Sequence, residues 1–240
     1  MAYKHKYVIG STYSFYNNST TLETTASFNY CGLDLVHADD FSVVIRDVAT
    51  LSTDILAGGY RFYAEDFTFP TVDEGCYRFI IVDVSVNENV LYISEPFEVV
   101  GSDTGLMYCK YRNAKNILNY NYEGIPAYYN KVHIELAKRK PLRPTTTQGY
   151  VLSSGSFKRI RTLLTKTWEF VTGWFDTKEH DAVQAVTIHS DLQLYIDSNW
   201  ELMNVSDEGQ YTLDWQENYE YIQASVRMQV NERSSSNKAV

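Results

Sequence analysis

Five histidines, three cysteines and thirty carboxylates are the raw material for chemistry in this 240-residue chain. Their spacing offers little of it. His180 with Asp181, and His189 with Asp191, place imidazoles beside carboxylates, a combination that binds zinc where three or four donors converge. A helix is predicted under His180, His189 lies beyond it, and spacing sets no third ligand. Surface or capping roles are therefore expected for both. Asp39 and Asp40 form a carboxylate pair, but adjacent residues of an extended segment point to opposite faces, so a turn is expected there. The chain has no GxSxG, GxxxxGK, HExxH or GxGxxG pattern and no Asp-rich calcium loop. The expectation is a non-enzymatic protein with no catalytic residue, no metal and no cofactor.

Polar aromatics offer a different kind of site. Tyr120, Tyr122, Tyr128 and Tyr129 sit among Asn119, Asn121 and Asn130. Tyrosine joins apolar area to a polar tip, which suits a protein or sugar surface. These four are candidates for a partner interface, with the edge of the core as the competing reading. Trp168, Trp174, Trp200 and Trp215 stand at strand spacing beside β-formers and are expected mainly in the core, where Trp168, Phe170 and Trp215 lead the set.

The net charge of −9 conceals a segregation. Residues 1–100 carry −9, residues 101–130 carry +1, residues 131–166 carry +8, and residues 167–240 carry −9. An acidic chain with one basic belt is a poor candidate for direct nucleic-acid binding. It is a better one for copies that pack basic belt against acidic face. Lys138, Arg139, Lys140 and Arg143 are the candidate contact residues. The competing reading is a solvated loop beside Pro141 and Pro144. Residues 139–156 are expected to form a long loop able to reach a neighbouring subunit.

Cys31, Cys76 and Cys109 are too few and too far apart for a disulfide framework or a CxxC site, and each is expected to act as a small buried hydrophobe. The opening residues lack the apolar stretch of a secretory signal, and no run approaches the ~18 residues of a membrane span. Synthesis in a reducing cytoplasm is the expectation.

The elements that must position these residues are strands. Aromatics make up 15% of the chain, with twenty Tyr and eleven Phe, and aromatic side chains pack well on a pleated surface. Strands are predicted over 27–36, 41–48, 60–69, 77–86 and 90–100, separated by turn residues. Asp73, Gly75 and Tyr77 have the form of a tyrosine corner, in which the hydroxyl bonds backbone just upstream. The prediction is an all-β protein: an N-terminal immunoglobulin-like β-sandwich over 1–100, a linker at Gly101 to Gly105, and a second β-rich domain over 101–232 with one short helix. That domain is read with strands at 106–111, 117–122, 128–136, 192–196, 211–215 and 222–230, and a loop at 145–149. Over 157–175 helical and strand periods overlap, and four threonines favour strand. Thr177 is the expected helix cap, with Glu179 in the first turn and Ala182, Val183, Ala185 and Val186 inward. Residues 233–240 read as a flexible tail.

The layout from Met107 to Asn113 through Tyr128 to Ile134 to Lys138 to Pro141, followed by Lys166 to Phe170, Asp176 to Ile188 and Asp191 to Tyr195, resembles tail-associated virion structural proteins of Bacteroidetes phages, the crAss-like phages among them. The likeness covers roughly residues 76–230 and carries no catalytic residue. It implies a non-enzymatic ring or neck component of a phage tail, present as a homo-oligomer, made in the host cytoplasm and located in the virion. Its implied partners are other copies of itself and other tail or neck proteins. The alternative is a receptor- or glycan-binding adhesin module at the tail periphery.

Overall fold

The computed structural model describes residues 5–19, 31–56, 59–83, 89–113, 128–142, 145–164, 166–205, 211–213 and 221–230. The strand expected at 117–122, Trp215 and the tail at 233–240 lie outside the described residues. Among the described residues the fold is all-β with a single short helix, and the chain divides into two compact units, Met1–Ile134 with His189–Asp191, and Glu135–Ile188 with Leu192–Val240.

The first unit contains β1 (Lys6–Val8), β2 (Thr12–Ser19), β3 (Cys31–His37), β4 (Val43–Leu56), β5 (Gly59–Thr68), β6 (Gly75–Asp83), β7 (Asn89–Ile93), β8 (Phe97–Val100), β9 (Met107–Arg112) and β10 (Asn130–Ile134). Its strand order is β9-β10-β1-β8-β6-β3-β4-β5-β2, with β7 beside β6. The strand β4 changes partner along its length: Val43 to Leu51 pair with β3, and Ser52 to Leu56 pair with β5. The bend has a local cause. The register shifts around Leu35, Asp47 adopts φ of 52°, and the Asp34 carboxylate accepts the Asp47 N–H at 2.9 Å.

Between these strands lies a core of Tyr13, Phe15, Phe62, Phe67, Phe69, Tyr77, Phe79 and Phe97 with Leu33, Leu35 and Ile81. Phe79 stands edge-on to Phe15 at 5.8 Å and to Phe67 at 6.0 Å. Such pairs contribute roughly 0.5–1.5 kcal/mol beyond their buried area. Part of the aromatic excess of the sequence is therefore this core. The tyrosine corner is present: the buried Tyr77 donates its hydroxyl to the Asp73 carbonyl at 2.7 Å.

The linker at Gly101 to Gly105 lies inside this unit, not at its end. The strand β1 runs parallel to β8 on one side and antiparallel to β10 on the other. An edge left open by β1 would expose unpaired backbone groups. Pairing with β10, and through it β9, carries the unit on to Ile134.

The second unit contains β11 (Leu136–Leu142), β12 (Thr145–Val151), β13 (Phe157–Leu164), β14 (Thr167–Thr172), α1 (Thr177–Thr187), β15 (Asp191–Ile196), β16 (Asn199–Val205), β17 (Thr212–Leu213) and β18 (Ala224–Val230). Its sheet runs β11-β14-β18-β16-β15, with β17 on β18. The strand reading of 157–175 holds as β13 and β14. Trp168 and Phe170 are buried as expected, whereas Trp200 is half-buried and Trp174, expected in the core, is 65% exposed. Pro141 does not end its strand: it pairs opposite Trp168 in β11 at a register shift, and the missing N–H is tolerated because β11 is the last strand in the order. The loop expected at 145–149 is instead β12, paired with β13 as a separate two-stranded ribbon.

The helix cap is Asp176, one residue before the expected Thr177. Asp176 accepts the Glu179 N–H and Glu179 accepts the Asp176 N–H, both at 2.9 Å, a reciprocal capping box. The buried face of α1 carries His180, Val183, Val186 and Thr187, while Ala182 and Ala185 are only half-buried.

Candidate functional site

His180 and His189, and with them His133, turn inward. On α1, His180 lies three residues before Val183 and seven before Thr187, so it shares the core-facing stripe. Its Nε2 donates to the Ile222 carbonyl at 3.0 Å, which leaves Nδ1 to accept from the Tyr211 hydroxyl at 2.5 Å. Burial lowers its pKa. His189 is buried, its ring 4.5 Å from that of Tyr111. The surface roles expected for both are thus corrected to structural roles in the interior. Among the described residues no group of three His, Cys, Asp or Glu side chains is placed to hold a metal ion. Asp40 makes the expected turn, accepting the Ser42 N–H at 2.9 Å and hydroxyl at 2.7 Å, bonds that hold its carboxyl below the usual range. No disulfide joins the cysteines; Cys31 and Cys109 are buried and Cys76 is half-buried. Burial raises the Cys31 thiol to about 11.

The tyrosine candidates do not act as one patch. Tyr120 and Tyr122 lie outside the described residues. Tyr128 is buried, with its hydroxyl donated to Asn130 at 3.0 Å, and so belongs to the core. Tyr129 is half-buried and donates to Asp191 at 2.6 Å, with Lys110 and Arg112 over its ring at 5.1 and 5.3 Å. Tyr128 and Asn130 also line a cleft of about 240 Å³ with Tyr16, Asn17 and Tyr92.

The basic belt divides as well. Lys138 is held within its own unit: its Nζ sits 3.0 Å from Asp197 and 4.2 Å above the Trp168 ring. Arg139 and Lys140 continue β11, and Arg143 lies outside the described residues.

The loop expected over 139–156 is replaced by the end of β11 and by the ribbon. Every residue from Thr147 to Ile160 is exposed. Tyr150, Val151, Leu152, Phe157 and Ile160 are among them, interleaved with Lys158 and Arg159. The ribbon turns through Leu152 to Ser156, where the Leu152 N–H donates to Ser156 at 2.8 Å and Gly155 takes φ of 83°. The missed signal was available: Ser153, Ser154 and Gly155 between two apolar, β-branched runs are a hairpin pattern. A second exposed apolar surface occupies the first unit, where Val36, Phe41, Val43, Ile80, Val90 and Ile93 line a groove of about 340 Å³.

Compared with known proteins, the chain matches no family model, no curated protein and no solved structure.

Proposed function

We propose that this chain is a non-enzymatic structural component of a phage tail or neck, assembling as a homo-oligomeric ring that contacts other virion proteins. The observation that carries this reading is the ribbon. An isolated two-stranded hairpin is marginal in water, and this one leaves its large apolar side chains uncovered. A contact surface for another subunit accounts for that exposure, and the segregation of charge between belt and flanks supports the same use. The virion context of this reading rests on the resemblance of the sequence layout to tail-associated proteins of Bacteroidetes phages. We read the first unit as an immunoglobulin-like sandwich. Its support is the Tyr77 corner, the parallel β1–β8 pair and the passage of β4 between layers. Mass photometry and negative-stain imaging of the purified chain, alone and with neighbouring tail-gene products, test the reading. Discrete oligomers or rings are the expected result; a strict monomer that joins no virion protein overturns it.

The second reading, a glycan-binding module at the tail periphery, is favoured by one observation: the Tyr–Asn lining of the 240 Å³ cleft. A glycan array of host surface polysaccharides decides it, and silence removes it.

A further inference from the structure

The groove of the first unit is built to stay open. Its floor is a small buried cluster of Val36, Ile80 and Val82. Its walls remain exposed: Phe41 45%, Val43 49%, Val90 54% and Ile93 43%. Phe41 is the most informative of these. It holds φ of 58°, a left-handed conformation that an aromatic residue rarely adopts. The turn fixed by Asp40 and Ser42 keeps it there, and Arg78 sits 5.7 Å above its ring. A large apolar side chain is thus presented to solvent against its backbone preference, the kind of outlier that clusters at contact and functional sites. Beside the groove, β7 pairs only with β6 among the described residues, so its outer edge can accept a strand.

The ribbon of the second unit has the complementary character. Tyr150 (45%), Val151 (66%), Leu152 (41%), Phe157 (57%) and Ile160 (62%) are exposed. Between Thr145 and Leu164 the chain carries Lys158, Arg159 and Arg161 and no carboxylate. Asp34 and Arg46 line the groove itself, and the exposed Asp39 and Asp40 stand in the turn beside Phe41; residues 31–56 together carry five carboxylates and only Arg46, a net of −4.

We propose that the β12–β13 ribbon of one copy of this chain seats its apolar end in the β3–β4–β6–β7 groove of a second copy. Apolar side chains of the ribbon cover the groove walls, while Lys158 and Arg159 face the carboxylates of Asp39 and Asp40 beside it. The contact is heterologous, because ribbon and groove are different surfaces. Repeated from copy to copy, it closes a ring when the rotation permits and otherwise grows a filament. The inference rests on the assembly reading and adds to it which surfaces meet.

Two measurements test it on the full chain with Cys76→Ser as background. In the first, Val151→Cys in one tagged chain is mixed with Val90→Cys in a differently tagged chain and treated with a short bis-maleimide. A covalent heterodimer is expected for this pair and not for Val151→Cys with Ile188→Cys. In the second, mass photometry follows a groove variant, Val90→Asp with Ile93→Asp, and a ribbon variant, Phe157→Asp with Ile160→Asp. Each is expected to weaken association at least about tenfold, as loss of a central apolar contact does. Near-UV circular dichroism reports that each variant is folded, and the cysteine pair reads the contact even where an Asp variant is not. Oligomers that persist in both Asp variants, with no selective crosslink, overturn the ribbon–groove contact and leave the assembly reading standing. Sensitivity to the ribbon variant alone also overturns it, since the ribbon then docks elsewhere. A wild-type chain that stays monomeric overturns both.

Discussion

Tyr13 on β2 and His133 on β10 meet 2.6 Å apart, oxygen to Nδ1, across 120 positions of chain. The Tyr13 oxygen also accepts the Val8 N–H at 2.7 Å, so the phenol bridges β1 and the imidazole. Tyr108 stacks on the same imidazole at 4.5 Å and donates its hydroxyl to the Thr12 carbonyl. Three rings and two backbone groups thus tie β1, β2, β9 and β10 together.

His133 is neutral near pH 7 because it is buried. Burial lowers its pKa from 6.5 to about 4, opposed only in small part by Asp103. A group whose folded pKa is depressed binds its proton more readily when unfolded. For a histidine, stability is then full above about pH 6.5 and declines as pH falls toward 4, by at most about 3 kcal/mol. Urea midpoints measured at pH 7.5 and pH 5 are expected to fall in the wild type. In His133→Gln the midpoint is lower at pH 7.5 but changes less between the two values; a slope equal to that of the wild type refutes the assignment.

Removing the corner hydroxyl is the next test. Tyr77 is buried, its ring stacks with His37 at 5.1 Å, and its O–H reaches Asp73. Tyr77→Phe keeps the ring and leaves one carbonyl unpaired, which costs about 1 kcal/mol. Tyr77→Ala also opens a cavity and costs about 3–5 kcal/mol. Equilibrium urea unfolding should rank the two in that order.

The first unit was more legible than the second, for physical reasons. Continuous apolar runs such as Phe79 to Val82, and the Asp73–Gly75–Tyr77 turn, announce themselves because local pattern and burial agree. The polar strand Thr12–Ser19 does not, because it is held by pairing to β5 and by Tyr13 and Phe15 entering the core. The strand β16 was hidden by its turn. Asp197 and Ser198 both take positive φ, 49° and 67°, where a hairpin of this kind normally announces itself with Asn-Gly. The placement of two side chains was hidden in a related way. Tyr128 and His180 look like surface chemistry in sequence, yet each is buried with its polar atoms bonded. Pairing and burial are long-range facts, and spacing along the chain does not contain them.

The helix should depend on its cap. Asp176 and Glu179 satisfy two of the N–H groups that α1 cannot satisfy internally. Asp176→Ala is expected to destabilise the protein by about 1 kcal/mol, and Asp176→Asn, which keeps an accepting oxygen, by much less. Thermal unfolding followed by circular dichroism checks the pair. Equal losses in both variants would show that charge at the helix start, not the capping bond, carries the effect.

The basic belt calls for separating one lysine from its neighbours. Lys138 lies 3.0 Å from Asp197 and 4.2 Å over Trp168, so part of its role is spent inside its own unit. An exposed ion pair contributes about 0–1 kcal/mol and an exposed cation–π contact about 0.5–1 kcal/mol. Lys138→Glu sets two carboxylates against each other and is expected to cost about 1 kcal/mol of stability, with a modest effect on assembly. Arg139, Lys140 and Arg143 reversed together to Glu are expected to do the opposite: stability within about 0.5 kcal/mol of wild type and clearly weaker oligomers in mass photometry. The same oligomers should loosen as salt is raised from about 0.05 to about 0.5 M, because the Debye length shrinks. If the triple reversal leaves the mass distribution and its salt dependence unchanged, the belt is a solvated face, and the subunit contact must be carried by the apolar surfaces alone.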